Sequence, residues 1–134
     1  MKIIALRGGN SSGKTSTLKI AHKLLVAAGG SSTCKRPIPK SPNDFSDVVN
    51  YKGQTIAFYT MGDYSVHTID AINNYNTLGV DVLVLASNIK FVKPIRLIVT
   101  FHHNLVVKTI ASPSTTANDL VANTTDANAI FGLI

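Results

Sequence analysis

Apolar and polar residues fall along this chain in blocks whose lengths and periods separate strands from helices. Residues 2–6, KIIAL, form a short apolar run of the kind a buried strand needs. From 15 to 28 the period changes: Leu18, Ala21, Leu24, Leu25 and Ala28 recur at helical spacing, and Gly29-Gly30 stops the helix. Residues 30–45, rich in Ser, Pro and Lys, read as a loop. VVNYKGQTIAFYT, 48–60, sets two β-rich runs on either side of Tyr51-Lys52-Gly53 and predicts a hairpin. Residues 65–78 return to the helical period, with Val66, Ile69, Ile72 and Tyr75 on one face and Gly79 past the end. DVLVLAS, 81–87, carries five consecutive apolar residues behind Asp81 and is the clearest buried strand.

The stretch 94–110 admits two readings. PIRLIVTF has the β-branched content of a strand. However, a parallel crossover from Ala86 needs about a dozen residues. The preferred assignment is a crossover helix over 94–103, with Pro94 at its first position, and a strand over LVVKTI, 105–110. A Ser/Pro/Thr turn at 112–116 and a weak final helix over 117–131 complete the chain. The order is strand–helix, hairpin, helix–strand, helix–strand, helix. That order predicts an α/β sandwich in which a mainly parallel sheet is covered on both faces. A length of 134 residues fits one domain over 1–134.

Charge sharpens the picture in two ways. Thirteen basic residues against seven acidic give +6, which favours an anionic partner such as nucleotide phosphate or nucleic acid. Glu is absent, so carboxylate chemistry must use Asp44, Asp47, Asp63, Asp70, Asp81, Asp119 or Asp126. No run approaches the ~18 apolar residues of a membrane span, and the opening run is too short for a secretory leader. Cys34 has no second cysteine to pair with and reads as a loop or core thiol. These features favour a reducing cytoplasm and no membrane.

Gly8-Gly9-Asn10-Ser11-Ser12-Gly13-Lys14-Thr15 fits G-x-x-x-x-G-K-[ST] in full. Each position has a physical reason. Phosphates demand many donors at close range, and glycines let a backbone curl so that its N–H groups point inward. The helix that opens near Gly13 adds unpaired N–H groups and the positive end of its dipole. Lys14 carries a full charge to the β and γ phosphates. Thr15 offers a hydroxyl to Mg²⁺, and Ser16 could reach the α-phosphate. A chance match in a chain this size has odds of about one in two hundred, and this one follows a strand and opens an amphipathic helix.

In this setting the loop resembles the Walker A motif of the P-loop NTPase superfamily. The motif covers 8–15, and the strand–helix pattern extends a weaker resemblance over most of the chain. The small size and the Gly62-Asp63 pair after the second β run resemble compact ATP-binding members. The resemblance implies a three-layer α/β/α fold, binding of a nucleoside triphosphate with Mg²⁺, and hydrolysis or phosphoryl transfer. It also implies an aspartate at the C-terminal end of a neighbouring strand, holding Mg²⁺ through water. Asp81 opens its strand at the far end of the sheet; Asp70, Asp119 and Asp126 fall in helices; Asp44 and Asp47 lie in or beside the basic loop and read as solvated charges. Asp63 follows IAFYT on the correct side and is the metal candidate beside Thr15; its competing role is a turn residue or helix N-cap. Thr60-Met61-Gly62 intervene between strand and carboxylate, which departs from the usual pattern.

Tyr59 stands where D-x-x-G would need an aspartate, and Ser87-Asn88-Ile89-Lys90 is not a guanine-reading N-K-x-D. ATP is therefore expected by elimination. No clear general base emerges; Asp44 or Asp47 could orient water from the basic loop, but the preferred reading of both is a solvated charge. His102-His103 read as exposed or satisfied histidines, and His22 and His67 as helix-surface residues. Two basic clusters, Lys35, Arg36 and Lys40, and Lys90, Lys93 and Arg96, could lie over the phosphates as a lid or be solvated surface. Arg96 is the arginine chosen to stabilise transferred charge. The leading functional expectation is a slow Mg²⁺-dependent ATPase or switch, with Lys14, Asp63 and Arg96 as its catalytic groups. A small-molecule or nucleotide kinase ranks second, because little chain remains for an acceptor site and lid. A nucleotide-stabilised binding module for an anionic partner ranks third; no aromatic RNA-binding motif appears.

Overall fold

In the computed structural model, which describes residues 1–134, the opening apolar run becomes β1 (Lys2–Gly8). Ile3, Ile4, Ala5 and Leu6 are all fully buried, so both faces of this strand are covered. Two strands flank it in parallel, β6 (Val82–Asn88) and β7 (His102–Val107). Beyond β6 lies β5 (Gln54–Tyr59), also parallel. The antiparallel β4 (Ser41–Tyr51) follows, with β2 (Ser31–Ser32) and β3 (Arg36–Ile38) antiparallel to β4 in turn. The result is a mixed seven-stranded sheet in which β4 alone runs against the others.

Each face of the sheet carries helices. Leu18, Ala21 and Leu25 of α1 (Lys14–Ala27) and Ala127 and Ile130 of α4 (Thr116–Leu133) share a core with Ile4, Leu6, Phe58 and Val84. Ile72 of α2 (Ser65–Leu78) and Ile98 of α3 (Val92–Ile98) share a second core with Ile3, Ala5, Leu83 and Leu85. The alternation of neighbouring β1 residues between the two cores is the period of a strand. No helix is long and apolar enough to cross a membrane.

The expected hairpin is present. Tyr51 pairs with Gln54 across Lys52-Gly53, and both turn residues have positive φ, 49° and 76°. That is the backbone signature of a two-residue turn matched to strand twist. The expected loop over 30–45 is not a loop: it contains β2, β3 and the first residues of β4. Alternation fails to reveal β4 because Asp47 occupies an inward position between Phe45 and Val49, all three buried. A carboxylate in a core position breaks the apolar period, although the strand itself is regular there.

The crossover also differs in detail. α3 starts two residues earlier than expected and ends at Ile98, so Pro94 is its third residue, still within the first turn, whose N–H groups lack partners. Thr100 Oγ1 donates to the Leu97 carbonyl at 2.6 Å and closes the helix end. The strand then begins at His102, pairing Lys2 to Arg7 of β1 with His102 to Val107. The expected strand over 105–110 is therefore shifted toward the N-terminus.

Candidate functional site

The segment between β1 and α1 is shaped by close approach. A Cβ on Gly8 would sit 2.6 Å from Ser12 Oγ and 3.0 Å from Lys108 Cβ. Gly13 is the N-cap of α1 at φ 93°, a left-handed conformation that disfavours any side chain, and a Cβ there would meet Asn123 Oδ1 at 2.7 Å. Ser11 also has positive φ, 54°, at the exposed tip of the loop. Gly13 provides no side-chain cap, so the amides of Lys14, Thr15 and Ser16 open α1 without intrahelical acceptors. Ser12 Oγ is buried without a hydrogen-bond partner. A loop with no room for a side chain at Gly8 or Gly13, free helix amides and an orphaned hydroxyl form a donor set that fits an oxyanion.

Lys14 folds back over this cradle. Its Nζ donates to the carbonyls of Gly9 at 2.6 Å and Gly8 at 3.2 Å, and lies 3.8 Å from Asp63 Oδ1. Burial pushes the Lys14 pKa below its ordinary value, against the pull of the Asp63 and Asp44 carboxylates. Lys14 is 6% exposed, whereas the Asp63 side chain is 55% exposed.

The structure explains the residues between strand and carboxylate. β5 is separated from β1 by β6, so an aspartate directly at the end of β5 would fall short of Lys14. Thr60-Met61-Gly62 carry the chain across the end of β6: the Asn88 amide donates to Gly62 O at 3.0 Å, and Gly62 lies so close that a Cβ would be 2.7 Å from Ala86 O. Asp63 then emerges beside Lys14. It does not cap α2, whose N-cap is Tyr64.

A second carboxylate reaches the site. Thr15 Oγ1 and Thr60 Oγ1 both donate to Asp44 Oδ1 at 2.7 Å, and Ser41 Oγ donates to Oδ2 at 2.5 Å. Asp44 is 9% exposed. The expectation that Asp44 and Asp47 are solvated loop charges is thus overturned, because both lie on β4 and point toward partners on α1. Asp47 is within 2.7 Å of His22 Nε2 and accepts from Ser32 Oγ and the Cys34 amide. His22 is accordingly a core residue and not a helix-surface one, packed edge-on against Phe45 and Phe58.

Two open cavities adjoin the loop. One, about 470 Å³, is lined by residues 11–16 with Lys19, Asn43, Thr60, Gly62 and Asp63 and has no hydrophobic lining residue. The other, about 550 Å³, runs from residues 11–13 and Ser16 between α1 and the 108–123 region, past Ile20, Leu120 and Asn123. Both volumes are in the range of small-molecule sites. Arg96 lies on the exposed side of α3 and lines neither, so the structure does not bring it together with Lys14. His102 and His103 begin β7, on the opposite end of that strand from Lys108.

Sequence reasoning missed the wall behind the loop. Lys108 Nζ pairs with Asp126 Oδ2 at 3.1 Å with both side chains buried. Thr109 donates to Asp126 from its amide at 2.6 Å and its hydroxyl at 2.7 Å, pinning the segment after β7 to α4. Asn88 Nδ2 donates to Asn10 Oδ1 at 2.5 Å and holds the loop from the other side. A lysine ending an apolar run and an aspartate inside a helix carry no local signal of such a pairing. No family model, curated protein or solved structure matches the chain.

Proposed function

We propose that the chain binds ATP with Mg²⁺ through residues 8–16 and hydrolyses it slowly, as a switch or weak ATPase. One observation carries this reading: free α1 amides, Lys14, Thr15 and Asp63 line a single polar cleft, and Asp44 stands behind it on the Thr15 hydroxyl. The helices on both faces of the sheet agree with the three-layer α/β/α arrangement that the Walker A resemblance implies.

In this reading, backbone amides of Gly9 to Ser16 and the Lys14 ammonium bind the phosphates. Lys14 exchanges its contacts with Gly8 O and Gly9 O for phosphate oxygens. A hydroxyl and two carboxylates, Thr15, Asp44 and Asp63, are hard oxygen donors suited to Mg²⁺, directly or through water. When bound, that ion draws charge from the phosphate oxygens. The 550 Å³ cavity, with Ile20 and Leu120 on its walls, would receive the nucleoside half. ATP is preferred over GTP because no guanine-reading motif is present.

Slow turnover follows from the carboxylate inventory. Asp44 already accepts three hydroxyl protons, and Asp47 is held by His22, Ser32 and Cys34. Asp63 alone is solvent-exposed in the cleft, and it faces Lys14. With Asp63 given to the metal, no other carboxylate lining the cleft is left to activate water.

A thermal-shift screen of nucleotides with and without Mg²⁺ tests the reading. ATP at 100-fold over its Kd should raise stability by about 2.7 kcal/mol, and Lys14→Ala should abolish that gain. If no nucleoside triphosphate stabilises the wild-type protein, the reading is wrong.

A further inference from the structure

A third cavity, about 340 Å³, opens beside the phosphate cleft and shares Lys19 and Asn43 with it. Its cations are Lys19 from α1, Lys35 from the segment between β2 and β3, and Arg36 from β3. None of the three forms an ion pair or donates a side-chain hydrogen bond within the protein. Lys35 Nζ instead stands 4.9 Å from the centroid of the Phe45 ring. The one acid lining the cavity is Asp44, and its oxygens are taken by Thr15, Thr60 and Ser41. Pro37 and Pro42 supply an apolar wall.

We propose that this cavity is a subsite for a small phosphomonoester, bound alongside the nucleotide on the far side of Asp44. Three unpaired cations around one concavity repel one another and are relieved by a compact dianion. A single carboxylate would leave the charge undercompensated. A tetrahedral phosphate accepts from the planar Arg36 fork and from two ammonium groups at once. The proline wall then faces the carbon skeleton of the ester. Lys19 borders all three cavities, so the two ligands share one cation. The place of this subsite alongside a nucleotide rests on the nucleotide reading; the cavity and its binding chemistry do not.

The test uses phenyl phosphate as probe, followed by saturation-transfer NMR and thermal shift, without nucleotide. The wild-type protein should bind it, and Lys23→Ala, which removes an exposed α1 lysine that lines none of the three cavities, should bind it within twofold of wild type. The exposed pair Lys35→Ala/Arg36→Ala should keep the wild-type circular dichroism spectrum and lose at least tenfold in affinity. Absence of probe binding to the wild type overturns the proposal. So does loss of binding in Lys14→Ala with the double variant unchanged, which would place the anion in the Walker-like loop. Failure of ATP to stabilise the wild type, with the phenyl phosphate results as expected, would refute the nucleotide reading and leave the subsite standing.

Discussion

Asp44→Asn separates the structural role of one buried carboxylate from the metal role proposed for it. Asp44 Oδ1 accepts from Thr15 and Thr60, and Oδ2 accepts from Ser41. An asparagine placed with its carbonyl oxygen at Oδ1 keeps the first two hydrogen bonds. Its amide can donate to Ser41 Oγ, which reverses that bond without losing it. The structural cost is then the loss of charge assistance only, about 1 kcal/mol, or about 3–5 °C in Tm for a chain of this size. Asp44→Ala is different: the Thr60 hydroxyl, in a residue only 1% exposed, loses its acceptor, and the total cost rises to about 3–5 kcal/mol. The metal role responds in the opposite order of subtlety. Removing the charge beside the Thr15 hydroxyl should weaken the Mg²⁺-dependent part of ATP binding by about 10–100-fold. The assay is thermal denaturation against ATP concentration, in Mg²⁺ and in EDTA. Wild type should show a large difference between the two series, and Asp44→Asn a small one, with the unliganded Tm almost preserved. A full Mg²⁺ dependence in Asp44→Asn would refute the metal assignment and leave Asp44 as a latch between α1 and β4.

Two further substitutions test the site and its support. Burial opposes ionisation of Asp47, but hydrogen bonds from Ser32, His22 and the Cys34 amide outweigh it and hold the Asp47 pKa below its ordinary value. A depressed carboxylate pKa contributes stability above the unfolded value, about pH 4, and loses it as pH falls through the folded value. Asp47→Asn should therefore be about 2–3 kcal/mol less stable at pH 7, with the gap to wild type closing below about pH 4; chemical denaturation at pH 7 and pH 3 measures it, and a constant gap would contradict the assignment. Arg96→Ala should leave both ATP affinity and turnover within twofold, because Arg96 lines neither cavity at the loop; a large fall in turnover with affinity intact would restore it as a group closing over the phosphates.

What could be read from the chain follows how local the physics is. The cradle was legible because its parts are consecutive: Gly8 to Thr15 hold the close approach, the positive-φ cap and the lysine within one strand-to-helix turn. The hairpin was legible because Lys52-Gly53 is a turn by its own chemistry. By contrast, Asp44 meets Thr15 across 29 positions, and Lys108 meets Asp126 across 18 residues that include a turn and half a helix. Each of these polar residues looks solvated when read alone. The inward Asp47 of β4 also erased the apolar alternation by which a strand is recognised, so a carboxylate of the core concealed the element that carries Asp44.

The β4–β5 hairpin ties these observations together. Ser46 pairs with Tyr59, so residues just before Ser46 and just after Tyr59 lie at the same end of the sheet, the end where β1 delivers Gly8. One hairpin therefore supplies both carboxylates, Asp44 from its first strand and Asp63 from beyond its second. Thr60 locks them in register: its amide donates to Phe45 O at 3.1 Å, its hydroxyl accepts from the Phe45 amide at 2.9 Å, and the same hydroxyl donates to Asp44. A slip of one residue would turn Asp47 and Phe45 to the opposite face and remove both the His22 partner and the core contact. The register that the Lys52-Gly53 turn sets at the far end of the sheet is thus the register that places acid beside Lys14 and Thr15. Two aspartates that look unrelated in sequence are consequences of one pairing.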